Sequence, residues 1–397
     1  MVEAAKARPI WALGLMSGTS MDGVDAALVL TDGEEIAAFG DTVFLAYDAR
    51  YRAGMAAANR VAPATPTAAL RDPGRWPEEL TRLAASCVRL HLIAIRRLGG
   101  APEVIGFHGQ TVAHRPAEGF TLQLGDGAAV AAGAGVTTAW DFRSADMAAG
   151  GEGAPLAPFY HFALARRAGL AEPVVFLNLG GVANVTWIDP AADAPQAPGA
   201  LIAFDTGPAN ALIDDFMAAR TGQGYDAGGA TAARGRVAGR VLDALPASPY
   251  IAKRPPKSLD RNDFIPVLEA VSDLSTEDGA ATLTAFTADC VATALDHMPR
   301  PPARWLVCGG GRRNLTMMRM LAERLAAPVE PVEALGLDGD MLEAQAYAYL
   351  AVRVLRGLPT SAPGTTGCRA PVSGGRVSHP GRDATAPRPP AGFARSP

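Results

Sequence analysis

Three stretches of the chain carry residue types suited to gripping a phosphate chain and moving a proton beside it. The first is a turn of small and hydroxyl residues, Ser17, Gly18, Thr19, Ser20, Met21, Asp22 and Gly23, between apolar runs at Ile10–Leu15 and Val24–Leu30. Glycine leaves backbone N–H groups bare and lets an anion come close, and hydroxyls add further donors. The second is FDTGP at 204–208, where Asp205 ends an apolar strand pattern and a helix starts at about Ala209. A helix N-terminus attracts anions, so acid and backbone donors fall together there. Asp205 alone reads equally as a helix cap; beside the other glycine turns, the acid–base reading is preferred. The third is VCGGGRRN at 307–314, whose Gly309, Gly310 and Gly311 would let backbone approach a flat ring or a sugar, with Asn314 close behind.

Two familiar phosphate loops are excluded. A Walker A loop needs a lysine after its glycines, and no lysine lies between Lys6 and Lys253. A dinucleotide fingerprint must open a helix, whereas the first turn feeds VDAALVL, a strand pattern without a capping residue. The phosphate would therefore sit on a β-hairpin.

The elements that must position these groups follow from periodicity. Ile10–Leu15, Val24–Leu30 and a third run within 35–46 read as strands, and 50–75 as loop with a short helix. Glu78–Leu98 has apolar residues at helical spacing. Val104–Phe107 is a short strand leading into His108, Gly109, Gln110 and Thr111; Phe120–Gly125 is another, and Val136–Trp140 ends at Asp141, Phe142 and Arg143. Three strands followed by alternating helix and strand outline a ribonuclease-H-like domain, with polar residues at strand ends where open α/β sheets place ligands. GGEGAP at 150–155 reads as a crossing between domains, followed by a helix at 156–168.

From Val174 the opening theme recurs: VVFLNLGGVANVTWI is apolar, glycine turn (Gly180, Gly181, with Asn184 beyond), apolar, followed by a strand at Leu201–Phe204. Such internal duplication suits two related half-molecules facing a cleft. Helices are expected at 209–220, 237–245, 277–297 and 341–355, and a strand at Trp305–Cys308. Beyond about Ser378 the Pro/Arg/Ala/Gly composition predicts a disordered tail.

Length and composition fit this outline. The 397 residues suggest two domains, and a net charge of −4 without a basic tract argues against nucleic acid. No apolar run reaches the roughly 20 residues of a membrane span, and no signal peptide is expected. Cys87, Cys290, Cys308 and Cys368 are scattered, as expected for free thiols in a reducing cytosol.

MSGTSMDGVDAAL resembles the first phosphate motif of the 1,6-anhydro-N-acetylmuramic acid kinases, members of the sugar kinase, actin and chaperone ATPase superfamily. LNLGGVAN, FDTGPAN, HGQT, DFRSAD, GGEGAPLAP and DMLEAQAYAYLA match further motifs of that family in order, from about residue 11 to 380. The resemblance implies an α/β fold of two ribonuclease-H-like, actin-like ATPase lobes around a cleft. The first lobe would take 1–145 and about 340–378, the second 146–339.

It implies ATP and Mg2+ as cofactors, a small amino-sugar substrate, a homodimer, and a cytoplasmic role in peptidoglycan recycling. Asp205 would be the catalytic base. Gly18 to Asp25 (with Met21, Asp22, Gly23 and Val24), Gly180, Gly181, Asn184, Gly207, Asn210, Gly309–Gly311 and Asn314 would line the nucleotide. His108, Gln110, Thr111, Asp141, Arg143 and Glu343 would line the sugar, Arg143 suiting a carboxylate. Asp22 or Asp25 would hold the metal through water. Departures from the family pattern are Ala209 for a glycine, KSLDRN (257–262) for KSTGRE, and Gln345 and Tyr347 at apolar positions. Another sugar kinase on the same scaffold, or a non-catalytic ATP-binding module, are the alternative readings.

Overall fold

The computed structural model describes residues 7–18, 20–245, 253–255, 257, 259 and 264–381. Its strands are β1 (Ile10–Ser17), β2 (Gly23–Thr31), β3 (Ile36–Ala46), β4 (Val104–Arg115), β5 (Phe120–Leu124), β6 (Thr138–Trp140), β7 (Val174–Leu179), β8 (Val182–Ile188), β9 (Leu201–Pro208), β10 (Arg304–Cys308), β11 (Val329–Pro331) and β12 (Arg376–Ser378). The first sheet runs β3-β2-β1-β4-β6-β12, with β5 paired to the far end of β4; the second runs β9-β8-β7-β10-β11. In both, the first three strands form an antiparallel meander, and the next two lie parallel to the first. The ribonuclease-H-like order therefore occurs twice, and the expected α/β class of two such lobes is what the chain forms.

The helices that organise the layers are α1 (Ala49–Val61), α2 (Glu78–Leu98), α3 (Gly127–Ala134), α4 (Pro158–Arg167), α5 (Asn210–Thr221), α6 (Thr276–Ala292), α7 (Leu315–Arg324) and α8 (Leu342–Leu355). Helices α1, α2 and α3 cover one face of the first sheet, packing Tyr51, Met55, Leu83 and Cys87 on Leu13, Leu15 and Ile105. On the second sheet, α5, α6 and α7 play that part. Helices α4 and α8 lie between the sheets, sharing one core with Ala12, Val29 and Val104 on one side and Phe176, Ile188 and Leu306 on the other. Strands buried on both faces read as continuous apolar runs, as β1 and β7 do.

Close seating of α8 depends on glycine. A Cβ on Gly14 of β1 would fall 1.8 Å from the Ala344 carbonyl oxygen, and one on Gly106 of β4 would fall 2.0 Å from that of Tyr347. The first turns of α8 are thereby fixed against β1 and β4.

Several elements depart from the sequence expectation. Residues 49–61 form a full helix, N-capped by Asp48, where loop with a short helix was expected over 50–75. Strand β4 does not stop at Phe107; it continues through His108–Thr111 to Arg115, with Gly109 at φ +75° and a register shift against β1. Strand β9 continues through Asp205 to Pro208, so Asp205 lies inside a strand and is no helix cap. Of the expected tail, residues 382–397 lie outside the described residues.

Candidate active site

The first turn leaves β1 at Ser17, whose hydroxyl donates to the Gly109 carbonyl at 3.1 Å. Gln110 Nε2 donates to the Gly18 carbonyl at 2.9 Å, and Tyr47 OH donates to Gln110 Oε1. Both ends of the Gln110 amide are thus engaged within the protein. It braces the turn, and its amide keeps a second N–H and a second lone pair. Ser20 donates to Asp22 at 2.7 Å, and Met21 N–H closes onto Gly18 at 3.2 Å. Val24 is fully buried, and a Cβ on Gly23 would strike the Phe44 ring at 2.4 Å, so both pack the turn rather than face a ligand. A Cβ on Gly18 would meet nothing closer than 3.6 Å, so open space lies there. Thr19 lies outside the described residues.

The second turn is shorter and differently finished. Ala209 and Ala211 N–H both donate to the Gly181 carbonyl, and Asn210 N–H donates to that of Gly180. The first N–H groups of α5 are therefore spent on the hairpin, which corrects the expectation that this helix end grips an anion. Asn210 Nδ2 donates to the Leu179 carbonyl at 2.9 Å. The Ala209 methyl is fully buried in the second core, so it does not crowd the turn. Gly207 is demanded by Cys290, 2.7 Å from its virtual Cβ, whereas Gly180 and Gly181 open onto space at about 3.5 Å.

Asn178, Asn184 and Asp205 are register partners on β7, β8 and β9. Asp205 is half-buried, and its Oδ2 accepts from Leu259 N–H at 2.8 Å. Burial pushes its carboxyl up to about 6, opposed by that hydrogen bond and by the Lys257 charge. Sequence reasoning missed Lys257 and Asn178. The KSLDRN stretch holding Lys257 was visible, but not its proximity to the acid. Ser258, Asp260, Arg261 and Asn262 of KSLDRN lie outside the described residues.

In the glycine-rich third stretch only Gly310 faces open space. Gly309 (φ +73°) packs on Asn178 and Leu179, and Gly311 would meet the Leu179 side chain at 2.6 Å. Arg312 ties this segment down, donating to Glu333 at 2.8 Å, Asp340 at 2.9 Å and the Gly309 carbonyl at 3.0 Å; Arg313 also pairs with Asp340. Asn314 caps α7 by accepting from Met317 N–H.

On the sugar side, buried His108 donates from Nδ1 to the Gly109 carbonyl at 2.8 Å, so its Nε2 accepts from Arg143 Nη2 at 3.1 Å. Burial, then the Arg143 charge, holds His108 neutral, well below its ordinary value. The tilted Tyr347 ring lies 4.6 Å from the imidazole. Arg143 Nε is buried with no partner among the described residues. Thr111 accepts from Gln123 at 3.2 Å, and Asp141 (φ +50°) accepts from Ser144. Asp146, the second acid of DFRSAD, is a structural hub that accepts from Gly153 N–H, Ser361 and Thr366.

Glu343 stands in the first turn of α8. Desolvation raises its carboxyl while Arg143 pulls it down. It also helps raise the Cys308 thiol of β10, after burial, so the two lobes approach each other here. Asp25 is pushed up to about 7, first by burial and then by Asp22, Glu343, Asp340 and Asp338. A desolvated carboxylate facing this much negative charge fits a cation held through water. No group of three or more His, Cys, Asp or Glu side chains among the described residues is placed to hold a metal directly. Virtual Cβ atoms at Gly18, Gly180, Gly181 and Gly310 meet neighbours only at 3.5–4.0 Å, so the backbone there is not packed tightly on another segment.

Duplicated ribonuclease-H-like lobes with glycine turns on a shared cleft and a carboxylate poised near neutrality define a phosphotransferase of the sugar-kinase and actin-like type. Residues 10–380 match the family model described as anhydro-N-acetylmuramic acid kinase. The chain is 55% identical over 377 residues to anhydro-N-acetylmuramic acid kinase of Cereibacter sphaeroides, covering 94% of this chain and 98% of that one. It is 51% identical over 383 residues to that of Roseobacter denitrificans, covering 96% and 98%. The chain belongs to the anhydro-N-acetylmuramic acid kinase family and is a kinase that phosphorylates a sugar hydroxyl. No described helix is long and apolar enough to cross a membrane.

Proposed function

We propose that this kinase opens the 1,6-anhydro ring of 1,6-anhydro-N-acetylmuramic acid with water and phosphorylates O6 from ATP, giving N-acetylmuramic acid 6-phosphate and ADP in peptidoglycan recycling. Asp205 takes a proton from water as the water oxygen bonds to the anomeric carbon. The bond from that carbon to the bridging oxygen breaks, and the freed O6 accepts the γ-phosphoryl as its bond to ADP breaks. The observation that carries this reading is the placement of Asp205 on β9 opposite Asn184, its Oδ2 held by Leu259 N–H at 2.8 Å, with burial raising its carboxyl toward the range that suits a general base.

The turn at Gly18–Asp22 and the open glycines at 180, 181 and 310 receive the nucleotide. Arg143, with its unpartnered Nε, binds the lactyl carboxylate, and Thr111, Asp141 and Glu343 take hydroxyls while His108 orients Arg143. Asp25 and Asp22 are placed to hold Mg2+ through water, and the metal would neutralise phosphate charge. Lobes 1–145 with 340–378 and 146–339 close on the cleft and exclude water. A homodimer in the cytoplasm completes the reading.

The test is turnover of the anhydro-sugar with ATP-Mg by the wild type and by Asp205→Asn, alongside a panel of free hexoses. Product from the anhydro-sugar in the wild type alone supports the proposal. Phosphorylation of a hexose but not of the anhydro-sugar overturns it, as does near-normal turnover by Asp205→Asn.

A further inference from the structure

We infer that Lys257 is a positioning residue for Asp205: residues 257 and 259 grip the backbone and one carboxylate oxygen of the base from outside its sheet, and the Lys257 ammonium supplies the charge behind it. The inference rests on Asp205 being the base.

Three contacts converge on that residue. Asp205 N–H donates to the Lys257 carbonyl at 3.2 Å, reaching out of the second sheet. Leu259 N–H donates to Asp205 Oδ2 at 2.8 Å, which fixes the rotation of the carboxylate and commits one of its oxygens. The Lys257 side chain is only 5% exposed, unusual for lysine, and its Nζ lies 5.5 Å from the centre of the Phe204 ring, the residue preceding the base. Such burial makes sense where the ammonium faces an anion, because a buried charge needs a counter-charge.

Among the described residues, the charged and titratable groups around this pair are few. Lys257 itself feels Cys290 on α6, Asp205 and Lys253. Cys290 is flanked by Asp289, which pairs with Arg324 of α7. His297 meets the Phe204 ring edge-on at 5.5 Å. Against the burial that raises the Asp205 carboxyl, the opposing influences are the Leu259 N–H and the Lys257 charge. Removing the ammonium removes one of the two, so the base should then protonate at higher pH.

The test is the pH profile of kcat/KM for the anhydro-sugar in the full-length enzyme and in Lys257→Met and Lys257→Arg. Lys257→Met should move the acid limb up by about one pH unit, so its deficit is largest below pH 6 and shrinks toward pH 8.5. Lys257→Arg keeps the charge and should keep the limb in place. A deficit that is the same at every pH, with an unmoved limb, overturns the inference and leaves Lys257 structural. So does an arginine variant whose limb moves as far as that of methionine. If Lys257→Met melts below assay temperature, Lys257→Gln replaces it under the same criteria. Asp205→Asn separates the two claims. If that variant is inactive while the Lys257→Met limb stays put, only the present inference fails; if it is active, the base assignment fails and takes this one with it.

Discussion

The two glycine turns are built on the same strand order and finished differently. In the first lobe the turn is long, and its backbone is steadied by side chains brought from elsewhere: Ser17 onto Gly109, and Gln110 onto Gly18 with Tyr47 behind it. In the second lobe it is short, and its carbonyls are capped by the first N–H groups of α5. The rows of register partners near each turn differ in the same spirit. Met16, Asp25 and Phe44 stand across the first meander, and Asn178, Asn184 and Asp205 across the second. Each meander therefore carries a carboxylate above the ordinary range, with burial the largest cause in both and opposite charges around it. Asp25 sits among other acids, awaiting positive charge. Asp205 sits beside a lysine and a backbone N–H, and burial alone raises it. Duplication supplied one frame, and a few side chains divided charge handling from proton handling.

Exchanging each carboxylate for its amide breaks that division most directly. Asp205→Asn should lower kcat by about 10³-fold or more with ATP binding retained, since general-base catalysis contributes roughly 10²–10⁴. Asp25→Asn should leave chemistry more intact and raise the Mg2+ requirement, by about tenfold in half-saturating concentration. Steady-state kinetics against sugar and against Mg2+ measure both. Equal kcat losses in the two variants would erase the distinction drawn between the lobes.

A smaller effect sharpens the reading of the third stretch, which joins the second turn. A side chain at Gly310 enters open space, whereas one at Gly311 collides with Leu179. Gly310→Val should fold normally and raise the KM for ATP by about tenfold, a loss of roughly 1.4 kcal/mol of binding. Gly311→Val should instead lower thermal stability, by about 1–3 kcal/mol of overpacking. Melting curves and ATP titrations on the pair decide it; a Gly310→Val protein with unchanged ATP affinity would empty the cradle of its proposed occupant.

How much of this was legible in the sequence depends on range. Both glycine turns and the strands flanking them stood out because the apolar–glycine–apolar pattern is local. The doubled theme from Val174 announced the second lobe. The bracing roles of Gln110 and Asn314 were not legible because an amide beside glycines looks the same whether it serves a ligand or the backbone, and only the fold shows Gln110 bonded at both ends and Asn314 Oδ1 capping α7. Lys257 was invisible as a partner of Asp205 because a long stretch of chain separates them and the contact is made through backbone atoms. Strands β11 and β12 are three residues each, too short to show a period. Helix α1 buries only Tyr51 and Met55, so it lacks the apolar stripe that marks α2.

Acid stability extends the comparison to the cores. The first lobe holds His91, fully buried, edge-on to Phe107 and donating from Nδ1 to the Cys87 carbonyl; burial pulls it down to about 4. His108 and His114 of β4 are pulled down as well, chiefly by burial. His161 lies between the sheets, stacked on Phe176 of β7 and pulled down to about 3, while His297 meets Phe204 in the second lobe. An unfolded histidine takes up a proton below about 6.5 while these stay neutral, so below that pH the unfolded state binds more protons and stability falls as pH drops. It is fully present above that value and is lost progressively toward pH 4. For His91 the loss at pH 5 is about 2 kcal/mol. Amide exchange at pH 7.5 and pH 5, corrected for intrinsic rates, should show β4 and α2 losing protection before β7 and α6. His91→Phe should narrow the gap between the lobes. Protection lost equally from both, or unchanged between the two pH values, would mean that these buried histidines do not set the weaker side of the molecule.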